Sequence, residues 1–340
     1  MLHRLLGTVI LVSALLVAWL AMDFRHFADS PLKLPEQGLT YILKPGSSVS
    51  RLAADLKARG VLENELYMRV LARWEGQASQ LKAGEYLLTA DMSPRSLLNH
   101  IVSGKVINHS LTLVEGWTFR QLMQAVRQHD ALTHTLNGLS DEEIMQRIGH
   151  AGEHPEGRFL SDTYLFPRGT TDVSFLQRAY NAMDRLLQFE WERRDAGLPL
   201  KSPYEALILA SIIERETGLA AERPEIAGVF IRRLQKKMRL QTDPTVIYGM
   251  GEAFDGDLRR RDLKAKTPYN TYTNHGLPPT PIAMPGADAI IAALHPAPGS
   301  SLYFVARGDG SHQFSETLAE HNRAVRRYQL KKQNHEQNQR

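Results

Sequence analysis

A long apolar segment at the N-terminus constrains this chain more than any other feature. Residues 5–22 form an uninterrupted run of eighteen residues without a charged side chain, preceded by Arg4 and the terminal amine. As a helix this run is about 27 Å long, close to the roughly 30 Å hydrocarbon layer of a membrane. A cleaved signal peptide is the alternative, but the run exceeds the usual apolar region and no Ala-x-Ala site closes it. We therefore predict an uncleaved transmembrane anchor over residues 1–22.

The charges that flank this segment predict its orientation. Arg4 and the amine precede it, whereas Asp23 offsets Arg25 behind it. Because positively charged residues favour the cytoplasmic side, we expect a cytoplasmic N-terminus and a chain that continues outside the cytoplasm, which in a bacterium is at the cell wall. Pro31 and Pro35 indicate an extended stalk, which we place at residues 23–37.

The composition excludes several classes of protein. With 340 residues, of which 43% are apolar, the chain can bury a sizeable core in roughly two domains. The absence of cysteine excludes disulfide frameworks, thiolate metal sites and a cysteine nucleophile. The net charge of +4 arises near the C-terminus, where six Lys and Arg residues follow from Arg323 onward against one Glu. The remaining chain is nearly neutral, so we predict no nucleic-acid partner.

Two stretches of the chain show the same order of elements. A short strand, a glycine turn and a capped amphipathic helix extend from Thr40 to Gly60, and the same signals return seventy residues later. The equivalent positions are Leu43, Gly46, Ser48, Val49, Leu52, Ala53 and Leu56 in the first copy, and Leu113, Gly116, Thr118, Phe119, Leu122, Met123 and Val126 in the second. The constant offset predicts a repeated small α/β unit.

The first copy also resembles a known module. Lys44–Leu56, closed by Lys82–Leu88, resembles a LysM-type module, a family whose members bind glycans that contain N-acetylglucosamine. A helix around Glu65–Trp74, a strand at Glu85–Leu88 and a helix from Ser93 to Gly104 complete this region. We predict a LysM-like module over residues 38–108 that serves either as a glycan-binding unit or as a spacer.

One helix stands out in the second half of the chain. Ser202-Pro-Tyr-Glu205 is a capping box with proline at the first helical position. Residues 206–213 are apolar on nearly every side, which predicts a buried helix. Thr217 and Gly218 are expected to end it.

Two acidic residues, Glu214 and Glu216, lie in the last turn of this helix. Burial and the negative end of the helix dipole both raise the pKa of a carboxyl group there, which suits a general acid at neutral pH. The two side chains are about 200° apart around the helix, and Glu216 shares the more apolar face. A purely structural alternative is that Arg215 or Arg223 pairs with these acids.

Polar residues in two nearby segments complete the candidate site. They are Gln241 and Asp243, before a helix that begins with proline, and Tyr269, Asn270 and Tyr272, in a loop that extends to Pro279. Aromatic rings, amides and hydroxyls suit a sugar-binding site, although turn chemistry explains the Asn and Pro residues equally well. The thirteen histidines show no ligand spacing, and no nucleotide or metalloprotease motif occurs, so we predict neither a metal nor a cofactor.

Five motifs in order resemble the endolytic murein transglycosylase family, also called MltG or YceG-like. They are Ala210–Thr217 (ASIIERET), Leu240–Gly249 (LQTDPTVIYG), Tyr269–Tyr272 (YNTY), Gly276–Pro279 (GLPP) and the closing His312–Asn322. The resemblance extends to about residue 330. It implies an α+β protein: an N-terminal transmembrane helix, the small LysM-like α/β module, and a larger, mainly helical catalytic domain with a short sheet at residues 109–330. Residues 331–340 then form a basic polar tail.

The resemblance also implies an activity and a location. Family members are single-pass proteins of the bacterial inner membrane that face the periplasm, cut peptidoglycan strands internally and leave 1,6-anhydro-N-acetylmuramic acid ends. They are thought to act beside wall-synthesis enzymes and to set strand length. The motif places the catalytic glutamate on Glu216, and one departure is visible at Ser161, where the family usually has proline.

Two other functions remain open at the level of the sequence. A hydrolytic muramidase would use Glu214 or Asp243 to activate water. A non-catalytic, membrane-tethered scaffold would use only the LysM-like module. Product chemistry separates the first from a transglycosylase, since hydrolysis leaves reducing ends.

Overall fold

The computed structural model describes residues 2–330, so the predicted tail at residues 331–340 lies outside the described residues. The chain is a mixture of helices and small two-stranded sheets, which confirms the α+β class. It divides into two compact units. Within the described residues, the first consists of residues 2–109 with Leu165–Thr170, and the second of Ser110–Tyr164 with residues 171–330.

The first unit begins with helix α1 (Leu2–Asp29). Within residues 2–330, this is the one helix that is long and apolar enough to cross a membrane. It does not end at Met22, because the first seven residues of the predicted stalk continue it to Asp29. The reason is packing: the rings of Phe24 and Phe27 each meet the Tyr67 ring edge-on at 5.5 Å, and the Tyr67 hydroxyl donates to Asp23 at 2.8 Å.

The rest of this unit follows the order that the sequence predicts. The elements are β1 (Leu39–Leu43), α2 (Val49–Ala58), α3 (Glu65–Trp74), β2 (Gly84–Leu88) and α4 (Pro94–Ser103). Strands β1 and β2 pair antiparallel, from Leu39 opposite Leu88 to Leu43 opposite Gly84. Glycan binding by this strand, helix, helix, strand unit stays a prediction.

The chain after α4 is mainly helical. Its helices are α5 (Phe119–Gln128), α6 (Asp141–Arg147), α7 (Asp172–Glu192), α8 (Pro203–Glu216), α9 (Arg223–Gln235), α10 (Asp243–Met250), α11 (Ala287–Leu294) and α12 (Leu318–Val325). The strands are β3 (Asn108–Thr112), β4 (Leu132–Thr133), β5 (Thr163–Pro167), β6 (Thr170–Thr171), β7 (Tyr303–Ala306) and β8 (His312–Ser315), and they pair as β3 with β5, β4 with β6 and β7 with β8.

The two predicted repeats have equivalent local structures. Ser48 caps α2 and Thr118 caps α5, each by accepting a hydrogen bond from the backbone three residues later. Gly46 and Gly116 both adopt positive φ angles, 75° and 77°. The buried residues are Val49, Leu52, Ala53 and Leu56 in α2, and Phe119, Leu122, Met123 and Val126 in α5. The spacing therefore predicted both helices and the faces that they bury.

Helix α8 forms the centre of the second unit. It begins at Pro203 and ends at Glu216, as the capping signals predict, and residues 206–213 are all buried. They pack against apolar residues of α7, α9 and α11 in one core cluster. The cap differs in one detail: Ser202 accepts from the Glu205 N–H, but the Glu205 carboxylate accepts from the Lys201 N–H rather than from Ser202. This buried helix fixes the position of the acidic residues in its last turn.

Candidate active site

Glu216 is the last residue of α8, and its side chain is partly buried. Its carboxylate accepts a hydrogen bond from the hydroxyl of Thr242, the residue that precedes α10. Thr242 is itself fixed, since its N–H donates to the Thr271 hydroxyl at 3.1 Å and its carbonyl accepts from the Thr245 hydroxyl at 2.8 Å. The loop before α10 therefore holds the carboxyl group in place.

The surroundings of Glu216 favour its protonated form. Burial raises the pKa of Glu216 to about 7, and the negative charge of Asp243 acts in the same direction. The Thr242 hydrogen bond, His312 and Arg233 act to lower this pKa. A carboxyl group with a pKa near neutrality can give up and take back a proton within one reaction cycle, which is the property of a general acid and base.

The structure brings Asp243 and Tyr272 together beside Glu216. The Tyr272 hydroxyl donates to the Asp243 carboxylate at 2.6 Å. The negative charge of Asp243 raises the pKa of Glu216. The pKa of Tyr272 is raised first by burial, then by Asp243, and to a smaller extent by Glu216. Gln241 is exposed and adopts a positive φ angle of 52°, and its N–H donates to the Thr271 carbonyl at 3.2 Å. Gln241 thus lies at the turn that places Thr242 and Asp243.

Asn270 and Tyr269 are occupied by the loop itself. The Asn270 side chain is fully buried; its amide donates to the carbonyls of Asp262, Leu263 and Ala265, and its oxygen accepts from the Tyr272 N–H at 2.9 Å. The Tyr269 hydroxyl bonds to that of Thr280 at 2.9 Å. Turn chemistry therefore accounts for Asn270, whose side chain has no free polar atom to offer a ligand.

Glu214 belongs to a separate group of charges. Its carboxylate accepts from the Gly286 N–H at 2.9 Å and from the Arg223 guanidinium at 3.1 Å, and its side chain is 6% exposed. Burial raises the pKa of Glu214, against the lowering effects of Gly286 and Arg223. Arg223, rather than Arg215, provides the pairing that the structural alternative required, and it pairs with Glu214 and not with Glu216.

Several residues near the acids were not predicted as site residues. His312 acts on Glu216, and its ring and N–H both bond to the Glu222 carboxylate, at 2.7 Å and 2.9 Å. Arg233 is buried, with its guanidinium donating to the carbonyls of Leu302, Arg239 and Leu240. His312 belongs to the closing motif His312–Asn322, but nothing in the sequence indicated which residue its ring would contact.

A further carboxyl group with a raised pKa, that of Glu156, lies in the same unit. Glu156 is 4% exposed; its carboxylate accepts from the Phe119 N–H at 2.9 Å and from the Tyr248 hydroxyl at 3.1 Å. Burial raises the pKa of Glu156 to about 7. No spacing in the sequence indicated this residue, since its partners are 37 and 92 residues away.

The last part of the loop at Tyr269–Pro279 lies against α8 away from Glu216. The cavity that they form, of about 450 Å³, is lined by Tyr204, Glu205 and Ile208 of α8 and by Gly276–Pro279. Glu216 does not line this cavity, because it lies at the other end of the helix. The loop approaches Glu216 instead through Thr271 and Tyr272.

The contacts of Glu216 predict two opposite pKa shifts. In Thr242→Val the hydrogen bond that stabilises the carboxylate is lost, so the pKa of Glu216 should rise above its present value of about 7. In Asp243→Asn a repulsive charge is lost, so the pKa should fall. Carbon-detected NMR titration of the Glu216 carboxyl group measures both shifts. Shifts of the same sign in the two variants would contradict this description of the site, and Thr245→Val controls for disturbance of the threonine network.

Comparisons with known proteins identify the family of this chain. Residues 41–327 match the model of the YceG-like family. An endolytic murein transglycosylase of Bacillus subtilis strain 168 is 33% identical over 304 residues, which cover 83% of this chain and 82% of the relative. One of Streptococcus pneumoniae R6 is 28% identical over 351 residues, which cover 92% of this chain and 63% of the relative.

A solved structure shows the same likeness. The crystal structure of a yceG-like protein of Listeria monocytogenes aligns with a TM-score of 0.52 and 28% sequence identity, over 85% of this chain and 99% of the other. The family match covers the elements that hold Glu216, Thr242, Asp243, Tyr272 and His312. On these grounds the chain belongs to the YceG-like family, which confirms the resemblance to endolytic murein transglycosylases seen in its five motifs.

Proposed function

We propose that this protein is an endolytic lytic transglycosylase of peptidoglycan, with Glu216 as acid and then base. The substrate bond is the β-1,4 bond between N-acetylmuramic acid and N-acetylglucosamine within a strand. The observation that carries the proposal is the partly buried Glu216 carboxyl group, whose pKa is raised to about 7 and which Thr242 holds in place. The names of the relatives support murein as the substrate class.

The proposed reaction needs a single carboxyl group. Protonated Glu216 donates its proton to the glycosidic oxygen, and the bond to C1 of the muramoyl sugar breaks as the N-acetylglucosamine end leaves. The substrate's own acetamido group stabilises the positive charge at C1. The Glu216 carboxylate then takes the proton of the C6 hydroxyl, whose oxygen bonds to C1 and closes the 1,6-anhydro ring. Because Glu216 donates a proton in the first step and accepts one in the second, it ends the reaction protonated, as it began.

Asp243 and Tyr272 are the best-placed candidates to orient the sugar. Their side chains are hydrogen-bonded to each other beside Glu216, and Asp243 is exposed. Asp243 also favours a second candidate function, because a carboxylate beside a general acid can activate water and hydrolyse the same bond. Glu214 is a poorer candidate for that role, since Gly286 and Arg223 already occupy its carboxylate.

The location that we propose follows from α1. A single anchor with a cytoplasmic N-terminus would hold the catalytic domain in the periplasm, close to the inner membrane where new strands are made. There, an internal cut would end the elongation of a nascent strand and set its length. Wall-synthesis enzymes are the partners that this position implies.

Product analysis tests the proposed reaction. We would incubate purified murein with the full chain in detergent, and with its Glu216→Gln variant, and identify the soluble products by mass spectrometry. Anhydromuropeptides, one water lighter than hydrolysis products, are expected from the parent and not from the variant. Reducing-end products would establish a muramidase instead. Binding without any product would leave a glycan-binding scaffold and overturn both enzymatic functions.

A further inference from the structure

A second cavity, of about 460 Å³, lies close to Glu216 in the same unit. One wall is a face of α10, formed by Pro244, Ile247 and Tyr248 at the spacing of a helical stripe, and Gly251 continues this wall directly after the helix. The cavity begins near the candidate acid, because Arg215 on its wall directly precedes Glu216, and Pro244 directly follows Asp243. Its volume is within the range of about 300–1,000 Å³ typical of ligand sites.

Most of the charged groups on the cavity wall are already paired. Arg120 forms an ion pair with Glu252. The Glu156 carboxylate is hydrogen-bonded to Phe119 and Tyr248, and burial raises its pKa to about 7. Two groups remain, Arg215 and the exposed Asp141 in the first turn of α6.

Arg215 is the cation of this cavity that has no carboxylate partner. Its guanidinium donates one hydrogen bond, to the Gly116 carbonyl at 3.2 Å, and within residues 2–330 it forms no ion pair. A guanidinium group presents five N–H donors in a planar fork that matches a carboxylate. Most of these donors remain available to a ligand carboxylate in the cavity.

We infer that this cavity binds the peptide attached to the muramoyl sugar at the cleavage site, with Arg215 holding a peptide carboxylate. This inference rests on the proposed function, because it names a part of the murein substrate. Murein peptides carry carboxylates, which are opposite in charge to Arg215. Their diamino acid also carries an amine, which is opposite in charge to Asp141. The size also agrees: eight residues of α10 extend about 12 Å, and four extended peptide residues span about 13 Å.

Binding to two kinds of strand tests this subsite. In a Glu216→Gln background, which prevents turnover, we would measure the dissociation constants of fluorescent glycan strands with peptides and of strands stripped by an amidase. Peptide-bearing strands are expected to bind about tenfold more tightly, which corresponds to about 1.4 kcal/mol. Adding Arg215→Ala should remove this preference and leave stripped strands unaffected. Arg147→Ala, at an exposed arginine of the same unit, should change neither constant.

The other results would overturn the inference. If the Glu216→Gln protein binds both strands with equal affinity, or if adding Arg215→Ala weakens binding of both strands equally, Arg215 does not bind the peptide. If the Glu216→Gln protein binds neither strand, the proposed function is overturned as well. Reducing-end products in the mass-spectrometric assay would change the reaction but not the peptide subsite.

Discussion

Glu216→Gln is expected to lower the rate of murein cleavage by about 10²–10⁴-fold, the usual contribution of a general acid or base. The amide has nearly the shape of the carboxyl group but can neither donate a proton to the glycosidic oxygen nor accept one from the C6 hydroxyl. In the parent, the rate should fall as the pH rises through about 7, because Glu216 loses its proton there. The measurement is the initial rate of soluble muropeptide release between pH 5 and 9.

The pH dependence of folding stability provides the control for this variant. Because the pKa of Glu216 is raised from about 4.5 to about 7, the folded protein binds more protons than the unfolded chain between these values. Stability therefore falls as the pH rises through this window, and Glu216→Gln should make the fall smaller without removing it, since Glu156 has the same shift. An inactive variant that also unfolds at lower temperature at pH 7 would mean that inactivity reports misfolding. A rate within tenfold of the parent would exclude Glu216 as the acid.

The sequence predicted the features of the site that depend on local signals. Ser202 and Pro203 begin α8, residues 206–213 are buried, and the helix ends at Glu216, because caps and apolar periodicity act over a few residues. The same periodicity distinguished Glu216 from Glu214. The structure gives the two acids different surroundings, since Glu214 pairs with Arg223 and Glu216 bonds to Thr242.

Apart from the pairing of Arg223 with Glu214, the charged neighbours of these acids could not be predicted in the same way. His312 meets Glu222 across 90 residues of sequence, and Arg223 meets Glu115 across 108. Such pairs depend on how whole elements pack, and no periodicity within one helix or strand encodes them. Asn270 shows the converse limit: an amide in a polar loop suits a ligand and a turn equally well, and only the three carbonyls around its amide group identify the turn.

The second large effect is expected at Arg223, which joins four segments of the second unit. This arginine is the first residue of α9, and its guanidinium bonds to Glu214 in α8, Glu115 after β3 and Asp288 in α11. The side chains of Arg223 and Glu214 are 7% and 6% exposed. Gly286 supports the arrangement, since a Cβ atom there would overlap the Glu115 carboxylate. The centre of this group is thus a buried ion pair, which is costly to break by removing one partner.

Arg223→Met should therefore destabilise the protein by about 3–5 kcal/mol, because it leaves the Glu214 carboxylate buried with the Gly286 N–H as its remaining donor. Adding Glu214→Gln should restore part of this loss, since a neutral amide oxygen can still accept from Gly286 at no charge penalty. Denaturant unfolding of the two single variants and the double variant measures the effect. Arg120→Met is the matched control: its ion pair with Glu252 has side chains 69% and 85% exposed, so its loss should cost less than about 1 kcal/mol. A loss in Arg223→Met as small as that of the control would mean that Arg223 does not hold these segments together.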